Sequence, residues 1–308
     1  MARLPRLISF LDRQLAGLSR PVLQPRLLAP ALAALAAGAV LAFVPQAPAF
    51  GNAANGPAAQ ATAVSPQPTA VSPQPPPPSR QLRFYPIDPR FASYYDSVDG
   101  FRVMGRAISP LASSGGRPAQ YFEKARLEDF RDINTNPAYQ FQYGLLVDEM
   151  KAVRSLAPVG GDASTVTYDT IANESDPSKR VPPPSGFTGN VAVLPDGSVF
   201  IPFSADLSPA AGHVVPSYFW AYMNRTDLFP GGWLHDIGLP ITEPIPALVD
   251  KGVIIGDQIT RVYNRPITIQ AFQRTILTYD AANPEGYLVE RANTGTDYWS
   301  IFPDRVPQ

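Results

Sequence analysis

The stretch TIQAFQRTILTYD, residues 268–280, decides the fold prediction because AQYFEKARLE, residues 119–128, has a similar pattern earlier in the chain. In AQYFEKARLE the apolar side chains fall on alternate positions, which is typical of a β-strand with one buried face. The aligned pairs are Phe122 with Phe272 and Lys124 with Arg274. We therefore predict two corresponding strands in two related segments.

An aromatic stretch with helical spacing precedes each predicted strand. In the first segment, Asp88 and Pro89 suit the N-cap and the first position of a helix. Apolar residues follow at the spacing i, i+3, i+4 and i+7, which gives a helix one buried face. They are Phe91, Tyr94, Tyr95 and Val98. In the second segment Pro216 opens a predicted helix, whose apolar residues are Phe219, Tyr222 and Met223.

Turns in the same order complete the two segments. A glycine-led block, GRAIS at residues 105–109 and GLPIT at residues 238–242, separates each helix from its strand. Asparagine–proline pairs then predict turns into return strands. The turns are Asn136-Pro137 and Asn283-Pro284, and the return strands are FQYGLLV at 141–147 and GYLVER at 286–291. Residues 251–266, KGVIIGDQITRVYNRP, have no counterpart and predict an extra strand in the second segment.

The connection between the segments is predicted to hold a hairpin. GNVAVLPDGSVFIPF, residues 189–203, places a Pro-Asp-Gly turn between two apolar runs. Each segment is too small for a full core of its own, so we expect the two to pack together. The predicted fold class is α+β, with two related helix–turn–β-hairpin units dominated by antiparallel strands. The predicted divisions are 84–153 for the first unit, 154–204 for the connecting segment with its hairpin, and 205–308 for the second unit.

Residues 1–49 have the layout of an export signal. Arginines at positions 3, 6, 13, 20 and 26 precede an uncharged, mostly apolar run at residues 27–44, which ends near Ala47-Pro48-Ala49. A basic stretch, an apolar stretch and small residues in this order are typical of a secretory signal peptide. The apolar run also just reaches the length that spans a bilayer, so an uncleaved signal anchor remains the alternative.

Residues 50–83 are predicted to be a Pro/Ala/Ser-rich disordered linker. It contains the duplication TAVSPQPTAVSPQPPPPSR at residues 62–80 and hardly any large apolar side chains. Such a stretch cannot bury a core, and its X-Pro steps favour an extended, semi-rigid chain. We predict a stalk that places the folded part outside the cytoplasm, either secreted or tethered to the cell membrane through residues 27–44.

Composition excludes several classes of site. The net charge of −1 argues against nucleic acid as a partner, because nucleic-acid binding requires a dense basic face. The absence of cysteine excludes disulfides and thiolate metal sites. The two histidines, His213 and His235, lack the short spacing of zinc ligands. We predict no metal and no cofactor.

The order of these motifs resembles a known kind of repeat. F..Y, then G-x-P-I-[ST], then Q-[YA]-F-[EQ]-[KR]-[AT] is similar to repeat modules in secreted proteins of filamentous green bacteria. Their opening phrase F-P-x-T-G-H-x-V is echoed at Gly212, His213 and Val215, with Pro209 at its proline and no leading phenylalanine. The likeness covers about residues 84–303, and GLPIT is also weakly similar to the LGFP repeats of cell-wall-associated proteins. The resemblance implies an extracytoplasmic location, often beside wall-binding or hydrolytic domains, and no assigned reaction.

Two aromatic stretches are the candidate binding residues. NRTDLFPGGWLHDIG, residues 224–238, and GTDYWSIF, residues 295–302, place aromatic rings near polar side chains, a combination that suits sugars. The candidate ligand-binding residues are Phe229, Trp233, His235, Asp236, Tyr298 and Trp299. Packing of the same rings in the core remains the alternative interpretation.

No stretch of the sequence has a recognisable catalytic pattern. PVGGDAS, residues 158–164, lacks the glycine and lysine spacing of a phosphate-binding loop and predicts a surface turn. We predict a non-enzymatic, exported structural or binding module of the cell envelope. Its expected partner is a glycan or wall polysaccharide, or another envelope protein. The alternative is an envelope hydrolase that uses His235, Asp236 and Glu243.

Overall fold

A computed structural model of the chain describes residues 81–203, 211–255 and 258–308, which contain both helices and strands. The predicted signal or anchor at 1–49 and most of the predicted linker at 50–83 lie outside the described residues. The helices are α1 (Pro89–Ser97), α2 (Gly100–Val103), α3 (Leu146–Ala152), α4 (Tyr168–Glu174), α5 (Ser217–Met223), α6 (Trp233–Asp236) and α7 (Thr294–Ile301). The strands are β1 (Ala112–Ser114), β2 (Arg117–Tyr121), β3 (Arg126–Asp129), β4 (Phe141–Tyr143), β5 (Ala163–Ser164), β6 (Ala192–Val193), β7 (Val199–Pro202), β8 (Gly212–Val215), β9 (Ile245–Ile255), β10 (Gln258–Ala271), β11 (Ile276–Tyr279) and β12 (Val289–Arg291).

The strands form three sheets in the described part of the chain. Their orders are β1-β2-β3-β4, then β12-β11-β10-β9-β5, and β6-β7-β8. Neighbouring strands in all three sheets are antiparallel. The predicted α+β class with mainly antiparallel strands is therefore confirmed.

The predicted helices α1 and α5 are present and carry the expected buried faces. Asp88 caps α1, because its carboxylate accepts a hydrogen bond of 3.0 Å from the backbone N–H of Arg90. Phe91 in α1 and Phe219 in α5 are both fully buried. α1 packs on β3, whereas α5 packs on β11 and β12, so each helix covers strands of its own segment.

The stretches 119–128 and 268–280 are corners between two strands, and the prediction of one continuous strand in each was wrong. In the first, Phe122 N donates to Ala125 O at 2.7 Å, where β2 turns back into β3. In the second, Phe272 N donates to Thr275 O at 2.8 Å. Alternation did not reveal the reversal because the residues on both sides of each corner remain buried.

The glycine-led blocks fix each corner against the preceding helix. Gly105 and Gly238 have positive φ angles of 75° and 86°, which favour glycine. A Cβ on Gly105 would lie 2.7 Å from Glu123 Oε2, and one on Gly238 would lie 2.9 Å from Gln273 Cβ. The two segments therefore require glycine at this place for the same two reasons.

Buried glutamines join the helix entrance to the turn in both segments. Gln120 Nε2 donates to the carbonyl oxygens of Pro86 and Ser109, each at 2.9 Å. The corresponding bonds of Gln270 go to Val214 O at 3.0 Å and Thr242 O at 2.9 Å.

One hydrogen bond of this glutamine arrangement differs between the segments. Asp88 N also donates to Gln120 Oε1 at 2.9 Å. The corresponding residue, Pro216, has no N–H, and Gln270 Oε1 has no partner among the described residues.

The insert at 251–266 lengthens two strands, so the prediction of a separate extra strand was wrong. β9 and β10 continue past the sheet as two paired arms, with a register shift between Val262 and Arg265. A further correction concerns the predicted return strand 141–147, which ends at Tyr143 and is followed by α3. The aromatic stretch 295–302 lies largely within α7. The Pro-Asp-Gly hairpin is confirmed, since β6 and β7 pair across it.

The two segments face each other through corresponding residues. Tyr143 and Arg291 occupy matching positions beside Leu127 and Leu277, and the Arg291 guanidinium lies 4.4 Å from the Tyr143 ring centre. Matching short helices also contact matching tyrosines of the other segment. These pairs are Arg102 with Tyr287, 4.9 Å from guanidinium carbon to ring centre, and His235 with Tyr139, 5.0 Å between ring centres.

Candidate functional site

A polar cavity of about 330 Å³ lies at the base of the long β9–β10 hairpin. Its walls come from the loop at 160–162, the hairpin, β11 and β12, the start of α7 and the first segment's corner. We call it the polar pocket. Its charged lining residues are Lys124, Asp162, Lys251, Glu290, Arg291 and Asp297. A volume of this size suits one small polar ligand or one unit of a polymer.

The loop wall of the polar pocket is made of glycines pressed against β9. Gly160 has a φ of 86°, and a Cβ on Gly161 would lie 2.5 Å from Asp250 O. Asp162 N donates to the same carbonyl oxygen at 2.7 Å. The PVGGDAS stretch, predicted to be a surface turn, therefore forms part of a cavity wall.

The hairpin wall is held by a buried carboxylate. Asp280 Oδ2 lies 3.0 Å from Lys251 Nζ, and its Oδ1 lies 3.0 Å from Arg265 Nε. Burial favours the neutral acid, but hydrogen bonds from Lys251, the backbone N–H of Ala282 and Arg265 outweigh it and lower the pKa of Asp280. Lys251 is thus fixed at the cavity edge by a carboxylate that it shares with Arg265.

Lys124 reaches the polar pocket from the first segment. Its Nζ donates to Arg102 O at 3.1 Å. Burial lowers the pKa of Lys124, and the carboxylate of Glu290 opposes that shift. The ammonium group has donors beyond the one used by Arg102 O, because a lysine ammonium carries three.

Asp297 contributes a carboxyl group from the first turn of α7. Its Oδ2 accepts a hydrogen bond of 2.8 Å from the hydroxyl of the fully buried Tyr168. Burial raises the pKa of Asp297 to about 7, although the Tyr168 hydrogen bond acts in the opposite direction. A carboxyl group that exchanges its proton near neutral pH inside a cavity is typical of functional sites.

Two of the sequence-predicted binding residues lie in the core. Phe229 and Tyr298 are each only 1% exposed. Phe229 packs edge-on against Tyr222 at 5.4 Å, and Tyr298 stacks on Tyr121 at 5.8 Å between ring centres. In this arrangement neither ring offers a face to a ligand.

The two predicted tryptophans belong to different clusters of the core. Trp233 packs edge-on against Trp220 at 5.6 Å and joins the cluster around Phe91 and Phe219. Trp299 packs on the other cluster. The structure therefore does not bring the aromatic candidates together in one surface. Their contacts are those expected if the rings pack in the core, which was the alternative interpretation.

His235 and Asp236 form a side-chain pair within the stretch 224–238, which also contains Trp233. His235 Nδ1 lies 2.6 Å from Asp236 Oδ1, and Asp236 Oδ2 accepts a hydrogen bond of 2.9 Å from Gly231 N. Asp236 is fully buried, and the His235 side chain is 15% exposed. Glu243 instead pairs with His213, 3.1 Å from its Nδ1. The three residues of the hydrolase hypothesis thus belong to two histidine–carboxylate pairs.

A second cavity of about 610 Å³ lies beside β2 and β3. It is an open groove lined by three arginines and two aspartates, and both aspartates are paired with an arginine. Arg131 contacts Asp129 at 2.6 Å, and Arg117 contacts Asp132 at 2.7 Å. The polar pocket is the stronger candidate because it is more enclosed and contains titratable groups shifted by burial.

Comparisons with known proteins found no matching protein family, no matching curated protein and no matching solved structure. Within residues 81–203, 211–255 and 258–308, no group of three or more His, Asp or Glu side chains is arranged to hold a metal ion. None of the helices in that part of the chain combines the length and apolarity needed to cross a bilayer.

No sequence pattern indicates Asp297 or Lys124 as a pocket residue. Asp297 directly precedes the aromatic candidates Tyr298 and Trp299, and Lys124 aligns with Arg274. The one available signal was the insert containing Lys251, because a stretch present in only one of two related segments often serves a function of its own.

Proposed function

We propose that this protein is an exported binding module of the cell envelope, and that the polar pocket binds one polar unit of a wall polymer. The observation that carries the proposal is the pocket's position at the insert that distinguishes the second segment. Carboxylates accept hydrogen bonds from ligand hydroxyl or amino groups, and Lys124 donates to ligand oxygens. Asp297 and Glu290 supply the carboxyl groups.

We also propose that the folded part consists of two copies of one helix–turn–β-hairpin unit. Support comes from the matched glycines Gly105 and Gly238 and from the matched glutamine hydrogen bonds. The facing pair of Tyr143 and Arg291 gives further support. In this proposal the first unit stabilises the second, which carries the ligand site.

Export rests on the basic and apolar residues at the start of the chain. The test is a fusion of residues 1–60 to a reporter that is active only outside the cytoplasm. We expect an active reporter, since arginines remain on the cytoplasmic side while the rest crosses. An inactive fusion would contradict export.

The binding proposal is tested with isolated cell wall. Full-length protein is sedimented with wall fragments, and the bound fraction is compared between wild type and the pocket variant Glu290→Gln. We expect retention to fall by about tenfold, because a hydrogen bond to a charged group is lost. Asp148→Asn, on α3 and paired with Lys151, is the matched control and should bind as wild type does.

A third variant separates the pocket from the aromatic stretch. Trp233→Ala removes a ring of the aromatic prediction, with thermal unfolding measured alongside to detect lost packing. Retention should depend on Glu290 and not on Trp233. If only Trp233→Ala loses wall binding while remaining folded, the ligand site is the aromatic loop instead.

The hydrolase alternative is favoured by one observation, the 2.6 Å pair of His235 and Asp236. His235 Nε2 is buried and has no partner among the described residues. A hydrolase would release soluble fragments from isolated wall, and His235→Gln would abolish the release. Our proposal expects no release by the wild-type protein.

A further inference from the structure

Helices α3 and α7 begin at matching places in the two segments. Gly144 N donates to Arg126 O at 2.8 Å, and Ala292 N donates to Ile276 O at 2.9 Å. Glu149 in α3 lies five residues after Gly144, and Asp297 in α7 lies five residues after Ala292. These two acids therefore occupy corresponding positions.

The acid of the first segment is paired with a buried cation. Arg126 Nη2 lies 3.0 Å from Glu149 Oε1, and Arg126 Nε lies 2.7 Å from Glu128 Oε1. Gly144 leaves space for the guanidinium, since a Cβ there would lie 2.6 Å from Arg126 Nε. The arginine, the glycine and the acid form one arrangement.

The second segment has an acid at the corresponding position but neither the arginine nor the glycine. Ile276 stands in place of the arginine, and Ala292 stands in place of the glycine. Tyr168 donates the hydrogen bond that Asp297 Oδ2 accepts. No ion pair joins Asp297 to a basic side chain in residues 81–203, 211–255 and 258–308. Unlike Glu149, Asp297 lines a cavity.

We infer that the polar pocket binds a ligand through a primary ammonium group, which pairs with Asp297 as Arg126 pairs with Glu149. The inference rests on the proposed function, because it names the chemistry that the same pocket recognises. Ammonium groups of this kind occur in amino sugars and in amino acids. A carboxylate and an ammonium ion inside a cavity attract more strongly than they do in water.

The other charges of the polar pocket are consistent with this pairing. Asp162 is 3.1 Å from Arg261, and Lys251 is 3.0 Å from the Asp280 carboxylate that it shares with Arg265. The Arg291 guanidinium lies over the Tyr143 ring, and Glu290 Oε2 accepts a hydrogen bond of 3.0 Å from Asn283 Nδ2. Lys124 remains to contact an oxygen of the ligand.

Lys124 lies beside Asp297 along the backbone. Thr294 Oγ1 donates to Lys124 O at 2.7 Å, and Thr296 N donates to Glu123 O at 3.0 Å. Both residues line the polar pocket, so Lys124 is available to donate to an oxygen of the same ligand.

Binding should also depend on pH. Burial holds the pKa of Asp297 at about 7, so the carboxylate form that attracts an ammonium ion increases as pH rises through that value. The charged and titratable groups around Asp297 are Tyr168, Lys124, Glu290, Arg291, Asp162 and Lys251. We expect amine binding to be stronger at pH 8 than at pH 6 for a ligand whose amine stays protonated.

The test is calorimetric titration of the full-length chain with four probes. Glucosamine and alanine carry the ammonium group, whereas N-acetylglucosamine and glucose do not. We expect at least one amine to bind about tenfold more tightly than both amine-free sugars. Alanine binding without glucosamine binding would identify an amino acid, and the reverse would identify an amino sugar.

Two variants test the pairing itself. Asp297→Asn keeps the shape of the side chain and should weaken amine binding by about tenfold. The double variant Ile276→Arg with Ala292→Gly rebuilds the arrangement of Arg126 and Gly144 around Asp297 and should weaken it similarly. Glu149→Gln changes the corresponding acid of the first segment and is the matched control, with amine affinity expected to be unchanged.

The outcomes separate this inference from the proposed function. If wall fragments bind and depend on Glu290 while Asp297→Asn has no effect on any probe, the ammonium pairing is wrong and the binding module stands. If neither wall fragments nor any probe binds, both fail. Should the double variant not fold, Asp297→Asn still decides the result.

Discussion

The first segment ends its sheet in a short hairpin, whereas the second extends the same hairpin far beyond the sheet. β1 and β2 have 3 and 5 residues and turn at two glycines with positive φ. β9 and β10 have 11 and 14 residues. An open groove lies at the shorter hairpin, and the more enclosed polar pocket lies at the longer one. The insert adds Lys251 to that pocket, whereas Lys124 and Asp297 come from positions that have counterparts in the other segment.

The motifs on which the predicted resemblance rests lie in the part that the two segments share. Gly238 supplies a positive φ, Thr242 Oγ1 accepts a hydrogen bond from Ala271 N at 3.1 Å, and Gln270 spans two carbonyl groups. His213 is buried and paired with Glu243. These residues hold backbone and side chains in place, so the resemblance predicts a fold and leaves the ligand open.

The largest expected effect tests whether the two corners are equivalent. Phe122 and Phe272 are both fully buried. Phe122→Ala and Phe272→Ala should each lower the free energy of unfolding by about 3–5 kcal/mol, because each leaves a cavity in the core. Urea denaturation measures both. A loss below about 1 kcal/mol at either position would show that the two corners are not equivalent in packing.

The next effect contrasts the contributions of two acids to stability: Glu149, which is paired with Arg126, and Asp297, which lines the polar pocket. The folded-state pKa of Asp297 is about 7 and its ordinary value is 3.8, so folding favours the protonated form. The contribution of this group to stability is fully present below about pH 4 and is lost as pH rises through about 7.

Asp297→Asn should therefore stabilise the protein at pH 8 by up to about 4 kcal/mol and have little effect at pH 4. Glu149→Gln should have the opposite sign at pH 8, since it breaks the ion pair with Arg126. Urea denaturation at both pH values checks the pair of variants. Equal changes in stability for the two variants would show that Asp297 and Glu149 do not differ in this way.

A smaller effect is expected at the glycine-led turns. Gly105→Ala and Gly238→Ala place a Cβ at positive φ and close to a neighbouring side chain. Each should lower the free energy of unfolding by about 1–3 kcal/mol, and the two losses should be similar. Thermal unfolding is sufficient to compare them. Tolerance at one glycine alone would mean that the turns differ in strain.

The smallest effect comes from the one framework hydrogen bond that the second segment lacks. Pro216→Ala supplies a backbone N–H opposite Gln270 Oε1. We expect a gain of about 0.5–1.5 kcal/mol from the new bond, reduced by the greater freedom of the unfolded chain. Asp88→Pro removes the backbone N–H that donates to Gln120 Oε1 and should lower the free energy of unfolding. Urea denaturation compares the two, and loss of stability in both would contradict the match.

Much of the local structure could be predicted because it depends on neighbours in sequence. Asp88 and Pro89 mark the start of α1, and the spacing of Phe91 and Tyr94 marks its buried face. The Pro-Asp-Gly turn likewise sets the β6–β7 hairpin through short-range hydrogen bonds. The corners at Phe122 and Phe272 were missed, since a reversal between two buried residues leaves the alternation pattern nearly unchanged.

By itself, the sequence determined the fold class, the helices α1 and α5 and the β6–β7 hairpin. These follow from spacing, caps and turns, whose energies are local. Only the tertiary structure decided that Lys124, Lys251 and Asp297 share one cavity. It also decided that Ile276 leaves Asp297 without the arginine that neutralises Glu149. Burial and charge pairing depend on residues far apart in the chain, and their energy is set by the fold that brings them together.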